Sequence, residues 1–338
     1  MALVLFLVTV VPANGLQSQQ SQTQTYRLAF YYPWFPKNWN QLGIYPYTNY
    51  HPSLGFYDSS DSTMIRTHVA EMQYANIQGA IVSWWGQGSY EDKDFAWILA
   101  LSDQGGTTNF EWMLYYELEG TGNPSISQIS SDLSYVKAKY ASSPHYFKIN
   151  GEFVVFVYAD ANDDCGMADR WKQANSVGAY IVLKVFSGYR SCSSQPDGWH
   201  QYAPAVAEDS QTPFSFTISP GFWKVGESPR LARDIARWRM SIYDMIMSNA
   251  LFQLITTFNE WGEGTAVESA SEWSTVSGHG EYLEALHLNG RDIPEYPVIY
   301  PILLVPLVLS LILIERRRLD RSSHIVTDKE LWAAILKC

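Results

Sequence analysis

The sequence predicts a barrel of eight parallel strands alternating with helices, a (β/α)8 fold, for residues 26–290. Three observations point to it. Eight short runs rich in β-branched and aromatic residues recur along that stretch, with apolar residues on both parities, as strands covered on both faces require. Helix-like or irregular stretches separate them. The span of some 265 residues matches the size of one such barrel. A doubly wound open sheet is the alternative, but no glycine-rich phosphate turn follows the first run to support it.

In chain order the expected strands are Arg27–Tyr32, Gly79–Trp84, Glu111–Tyr116, Phe153–Tyr158, Ala179–Phe186, His200–Ala203, Phe214–Ile218 and Leu251–Phe258. Helical spacing runs through Ser62–Ala75, Ile126–Tyr140 and Ser228–Ser248. Asp61 is the expected N-cap of the first of these, because a short side-chain oxygen there satisfies a free amide of the opening turn. Asp163 and Asp164 lack EF-hand spacing and read as solvated turn residues.

Both ends of the chain point to a membrane. Residues 1–15 read as a signal peptide, an apolar run followed by small residues, and 16–25 as a polar linker. A retained N-terminal anchor competes with the first reading. Residues 298–314 carry no charge and, as a helix, would span about 26 Å, near the lower limit for a bilayer core. Residues 291–297 form a stalk before them. The arginines at 316–318 mark the tail 315–338 as cytoplasmic, giving a single-pass type I topology with the barrel outside. A buried C-terminal core helix is the alternative.

The chain of 338 residues is 46% hydrophobic and only 17% charged, so a large core is expected. Its net charge of −11 argues against a nucleic-acid partner, which needs a basic footprint. Aromatic residues make up 15%, suiting either a surface that stacks on sugar rings or a ring-filled core. Of the three cysteines, Cys165 and Cys192 are expected to pair if the domain is exported, whereas Cys338 has no evident partner. No zinc spacing, GxSxG, HExxH or Walker pattern occurs, and neither metal nor cofactor is expected.

In a barrel of this kind, functional groups gather at the carboxyl ends of the strands. Those ends carry Tyr31-Tyr32, Trp84-Trp85, Tyr116-Glu117, Tyr158 and Asn259-Glu260-Trp261-Gly262-Glu263. The rings suit a carbohydrate cleft, since barrel interiors are usually filled by Val, Ile and Leu. Glycosidic cleavage needs one acid for the departing oxygen and a second carboxylate as base or nucleophile. Glu260 and Glu263 are the candidate catalytic pair. Trp261 offers an apolar wall, and Gly262 and Gly264 free the backbone around them. Spacing alone does not say whether the two carboxyls face one another. Glu117 is a candidate for binding substrate hydroxyls, and Glu268 for supporting the loop.

AFYYPWF, YHPSLGFYDSSDSTMIRTHVAEMQYANIQGAIVSWW, MLYYE, FTISPGF and ITTFNEWGEGTAVESA, in that order, resemble the endo-α-mannosidase/endo-α-mannanase family of retaining glycosidases, glycoside hydrolase family 99. The resemblance runs from about residue 26 to 290. It implies a (β/α)8 barrel whose catalysis needs no metal, acting on an oligosaccharide or polysaccharide. Glu260 then matches the group that takes the proton of the sugar 2-hydroxyl, so that this oxygen attacks the anomeric carbon. Glu263 matches the general acid/base. Tyr31 or Tyr32, His51, Trp84, Glu117 and Tyr243 are implied to line the cleft. Gly262 departs from the histidine that family members carry there, which removes one substrate contact. The same NEWxEG pattern occurs in a glycosyltransferase-like barrel family, so transfer to surface polysaccharide remains an alternative, as does a non-catalytic carbohydrate-binding barrel.

Overall fold

The computed structural model describes residues 24–106 and 109–291. In chain order it begins β1 (Tyr26–Tyr31), α1 (Ser62–Tyr74), β2 (Gly79–Trp84), α2 (Tyr90–Leu101), β3 (Glu111–Tyr116) and α3 (Ile126–Lys139). There follow β4 (Lys148–Ile149), β5 (Glu152–Val157), α4 (Cys165–Ala174), β6 (Tyr180–Lys184) and β7 (Gly198–His200). Last come β8 (Glu208–Gln211), β9 (Ser215–Ile218), α5 (Ile235–Met247), β10 (Phe252–Ile255) and α6 (Glu281–His287).

The strands hydrogen-bond in the order β7-β6-β5-β3-β2-β1-β10-β9-β8. All the pairings from β7 round to β9 are parallel, so eight strands build the wall. β4 and β8 are antiparallel additions to β5 and β9. β7 lies beside β9, and the barrel is nearly closed. Each expected strand overlaps one wall strand. Two crossovers lack an α-helix: a short 3-10 turn at Tyr189–Ser191 joins β6 to β7, and β8 fills the step from β7 to β9.

Helix starts follow the local chemistry. Asp61 accepts from the amides of Thr63 and Met64, and Ser89, Ser125, Asp164 and Asp234 cap the next four helices in the same way. The expected helix Ser228–Ser248 therefore begins later than its periodicity suggested. Residues before the Asp234 cap are tied into a bridge between Phe222 and Leu231. Asp164, expected to be a solvated turn residue, is the cap of α4.

Rings fill part of the interior, as one of the two readings of the aromatic share expects. Phe30, Tyr115, Phe156, His200 and Phe252 pack on one another inside the wall at centroid distances of 4.8–6.0 Å. Part of the aromatic surplus is therefore core.

Cys165, at the start of α4, is bonded to Cys192 before β7, closing a loop of 27 residues. On chain entropy this cross-link stabilises the fold by about 3–4 kcal/mol. Chemical denaturation of the Cys165→Ser/Cys192→Ser variant should show that loss, and a midpoint equal to the oxidised protein's would refute it.

The segments assigned to the signal peptide, the linker up to residue 23, the apolar stretch 298–314, the cytoplasmic tail and Cys338 lie outside the described residues. Among the described residues no helix is long and apolar enough to cross a membrane.

Candidate active site

Side chains alternate across a strand, so neighbouring residues at a strand end face opposite sides of the wall. On β1 this turns Tyr32 into the barrel mouth and Tyr31 outward, where its hydroxyl meets Nδ1 of His68 on α1 at 3.1 Å. After β2, Ser83 and Trp85 face the mouth, while Trp84 turns out and donates from Nε1 to Asp92 of α2 at 2.8 Å. At β3, Glu117 points in and Tyr116 points out to Asp132 of α3 at 2.8 Å.

The inward set lines a cleft of about 190 Å³ with Tyr32, Trp34, Trp85, Glu117, Tyr158, Tyr202, Glu260 and Glu263 on its walls. It thus brings together Tyr32, Trp85, Glu117, Tyr158, Glu260 and Glu263 from the residues singled out in the sequence. Tyr31, Trp84 and Tyr116 are displaced from it by strand parity. His51 is displaced because its ring sits on an exposed loop, 2.6 Å from Glu272. Tyr243 lies on the outer, exposed face of α5. Trp34 and Tyr202 also stand at strand ends in the sequence but are not among the substrate-binding candidates; Trp34 lies two residues after Tyr32, on the parity that faces the mouth.

The loop after β10 folds both candidate carboxyls into this cleft. Its base is closed by a 2.9 Å hydroxyl contact between Thr257 and Thr265. The Glu260 amide donates to Thr257 Oγ1 at 2.8 Å, and the Glu263 amide donates to Glu260 Oε1 at 3.3 Å. Gly264 has a φ of +66°, and a Cβ there would stand 2.7 Å from the Trp223 carbonyl. Glycine is needed for that close approach. At Gly262 a Cβ would stand 2.9 Å from the Tyr47 ring and 3.2 Å from Glu260 Oε1. Tyr47 thus closes over the space that a histidine side chain would otherwise enter.

Behind the cleft a buried polar cluster holds this loop. Asn259 and the Tyr32 backbone bond in both directions, at 2.8 and 3.0 Å. Glu268, wholly buried, accepts from Tyr57 at 2.7 Å and from Trp261 Nε1 at 3.1 Å, and meets His68 Nε2 at 3.2 Å. Asn259 and Trp261 therefore position the loop rather than lining the cleft. Tyr57 lies in the segment YHPSLGFYDSSDSTMIRTH that carries the resemblance, but nothing in the sequence assigns it a part in this cluster.

Charge in the cleft is unevenly held. Burial, followed by the charge of Glu263, raises Glu260 well above the usual carboxylate range. Glu263 is more open: Tyr202 donates to Oε2 at 3.3 Å, Tyr32 donates to Tyr202 at 3.0 Å, and the Lys224 ammonium stands 3.2 Å from Oε1. Burial thus favours the neutral form of Glu260. Burial holds the Tyr32 and Tyr202 hydroxyls well above their ordinary values, so both remain donors. Such a site has what acid/base work on a sugar needs: two carboxyls in one cleft, fixed donors and an exposed Trp85 ring for stacking.

Burial also pushes Glu117 up to about 8, despite the hydrogen bond from Ser83. Its folded value exceeds its unfolded one, so its contribution is fully present below about pH 4.5 and is lost as pH rises through about 8. Melting curves between these limits should therefore fall more steeply for the native protein than for Glu117→Gln. Parallel curves would contradict the assignment.

The profile of glycosyl hydrolase family 99 matches residues 44–178, which ends before the loop bearing Glu260 and Glu263. The chain is 22% identical over 266 residues to the glycoprotein endo-alpha-1,2-mannosidase of Mus musculus, covering 66% of this chain and 57% of that protein. It is 22% identical over 276 residues to the Xenopus laevis protein of the same name, covering 66% of this chain and 58% of that protein. The chain thus spans little more than half the length of these curated relatives. Among solved structures it is similar to the GH99 endo-alpha-mannosidase from Bacteroides thetaiotaomicron, with a TM-score of 0.60, 19% identity and coverage of 79% of this chain and 96% of that one. A structure described as a glycoside hydrolase-like protein aligns with a TM-score of 0.55 at 15% identity, over 80% of this chain and 95% of that one.

Proposed function

For this glycosyl hydrolase family 99-like chain, we propose an endo-acting, retaining α-glycosidase whose substrates are α-mannosides. The observation that carries the reading is the joint placement of Glu260 and Glu263 in one aromatic cleft at the carboxyl ends of the strands. With a sugar bound, Glu260 takes the proton of the 2-hydroxyl, and that oxygen displaces the leaving oxygen at the anomeric carbon. Glu263 gives its proton to the leaving oxygen. Water then opens the three-membered ring, yielding a proton to Glu263 while Glu260 returns its own to the 2-oxygen. The Tyr32–Tyr202 pair keeps a donor on Glu263 throughout.

Placement of the barrel outside the cytoplasm, anchored by residues 298–314, belongs to the same proposal. The Cys165–Cys192 bond supports an oxidising compartment, and the apolar, uncharged composition of that segment supports the anchor.

The test is incubation of the full chain with α- and β-linked manno- and gluco-oligosaccharides, with products identified by mass spectrometry. Cleavage within an α-mannoside is expected. If nothing is cleaved while binding persists, the hydrolase reading falls; products appearing only with an acceptor sugar would identify a transferase.

A further inference from the structure

A second cavity, of about 490 Å³, continues from the cleft and shares Tyr158, Tyr202 and Glu263 with it. Glu260 lines the first and not the second. A group that protonates the leaving oxygen stands between the reacting sugar and the departing one. Space that extends past Glu263 and away from Glu260 therefore lies on the leaving-group side, an assignment that rests on the function proposed above.

Lys184, Lys224 and Arg230 all face this cavity, against the carboxylates of Asp209 and Glu263, in a chain whose net charge is −11. Each cation is only partly committed. Lys184, at the end of β6, donates to the Ala159 carbonyl at 2.7 Å and lies over the Tyr158 ring; among the described residues it has no carboxylate within ion-pair distance. Burial lowers its pKa, although Asp160 and Asp163 act in the other direction. Lys224 pairs with Glu263, and Arg230 pairs with the exposed Glu227 while lying over the Phe222 ring. When Glu263 carries the proton it donates, Lys224 loses that partner, Arg230 keeps Glu227, and Asp209 is the remaining carboxylate on the cavity wall.

We infer that this cavity is a subsite for an anionic sugar, bearing a carboxylate or a phosphate, on the leaving-group side of the cleaved bond. Lys184 and Lys224, both partly buried, grip the anion through charge-assisted bonds, and the exposed Arg230 adds a third cation.

The experiment is calorimetric titration of the full chain, at low ionic strength, with two matched pairs: methyl glucuronide against methyl glucoside, and mannose 6-phosphate against mannose. At least one anionic probe should bind about tenfold more tightly than its neutral partner, a preference that salt weakens. The first pair reads a carboxylate source and the second a phosphate source. In Lys184→Met/Arg230→Met the anionic probe should fall to the level of the neutral one. If the double variant fails to fold, Arg230→Met alone, at an exposed position, should lower the preference. Equal binding of charged and neutral probes overturns the subsite, as does a preference that survives both substitutions. Cleavage of neutral α-mannosides without charge preference would sink the subsite and spare the hydrolase. Charge preference with no cleavage of any substrate would do the reverse.

Discussion

Glu263→Gln is expected to slow cleavage of an ordinary α-mannoside by about 10²–10⁴-fold, with substrate affinity largely retained. The amide keeps the shape of the carboxyl and still accepts from Tyr202, but it has no proton to give the leaving oxygen. An aryl α-mannoside whose phenol departs without assistance should restore the step that needs the acid. Glu260→Gln should lose both substrates, since no leaving group replaces the activation of the 2-hydroxyl. Rescue of Glu260→Gln rather than Glu263→Gln by the aryl substrate would exchange the two roles.

Glu268→Leu should cost about 3 kcal/mol or more, because it leaves the buried Tyr57 hydroxyl and His68 Nε2 without their acceptor and takes from Trp261 Nε1 one of two acceptors, the other being the Tyr57 hydroxyl. Denaturant midpoints measure it. Catalysis should suffer as well, since Trp261 sits between the two candidate carboxyls in the chain and its indole is held by Glu268. Glu268→Gln, retaining one acceptor oxygen, should fall between native and Leu in stability. A Leu variant as stable as the native protein would mean that the cluster breaks even with an apolar filling, as some buried polar groups do.

How far the cleft was legible from the sequence turns on parity. Tyr31-Tyr32, Trp84-Trp85 and Tyr115-Tyr116 each mark a strand end, because paired rings before a loop are conspicuous in the chain. Which ring of each pair looks into the barrel depends on where the pleat begins, and a shift of one residue exchanges the two faces. Tyr32 and Trp85 proved to face in; Tyr31, Trp84 and Tyr116 bond to helices instead. Tyr243 rested on resemblance alone and lies outside the wall, on an exposed helix face. Tyr202, which joins Tyr32 to Glu263, follows a strand of only three residues, too short for its periodicity to show which way the ring faces.

By itself the sequence determined the number and order of the wall strands, the loop that carries Glu260 and Glu263, and the cap at Asp61. These are local matters: apolar runs with a fixed period, glycines where backbones must approach, and a side-chain oxygen beside free amides. Only the tertiary structure decided that two carboxyls three residues apart share one cleft, that Glu268 holds their loop from behind, and that Lys184, Lys224 and Arg230 meet around one cavity. The last three come from β6 and from the loop after β9, and their distance apart in the chain says nothing of their distance in space. Closing the wall fixes it, because register and closure place side chains from separate strands at one rim.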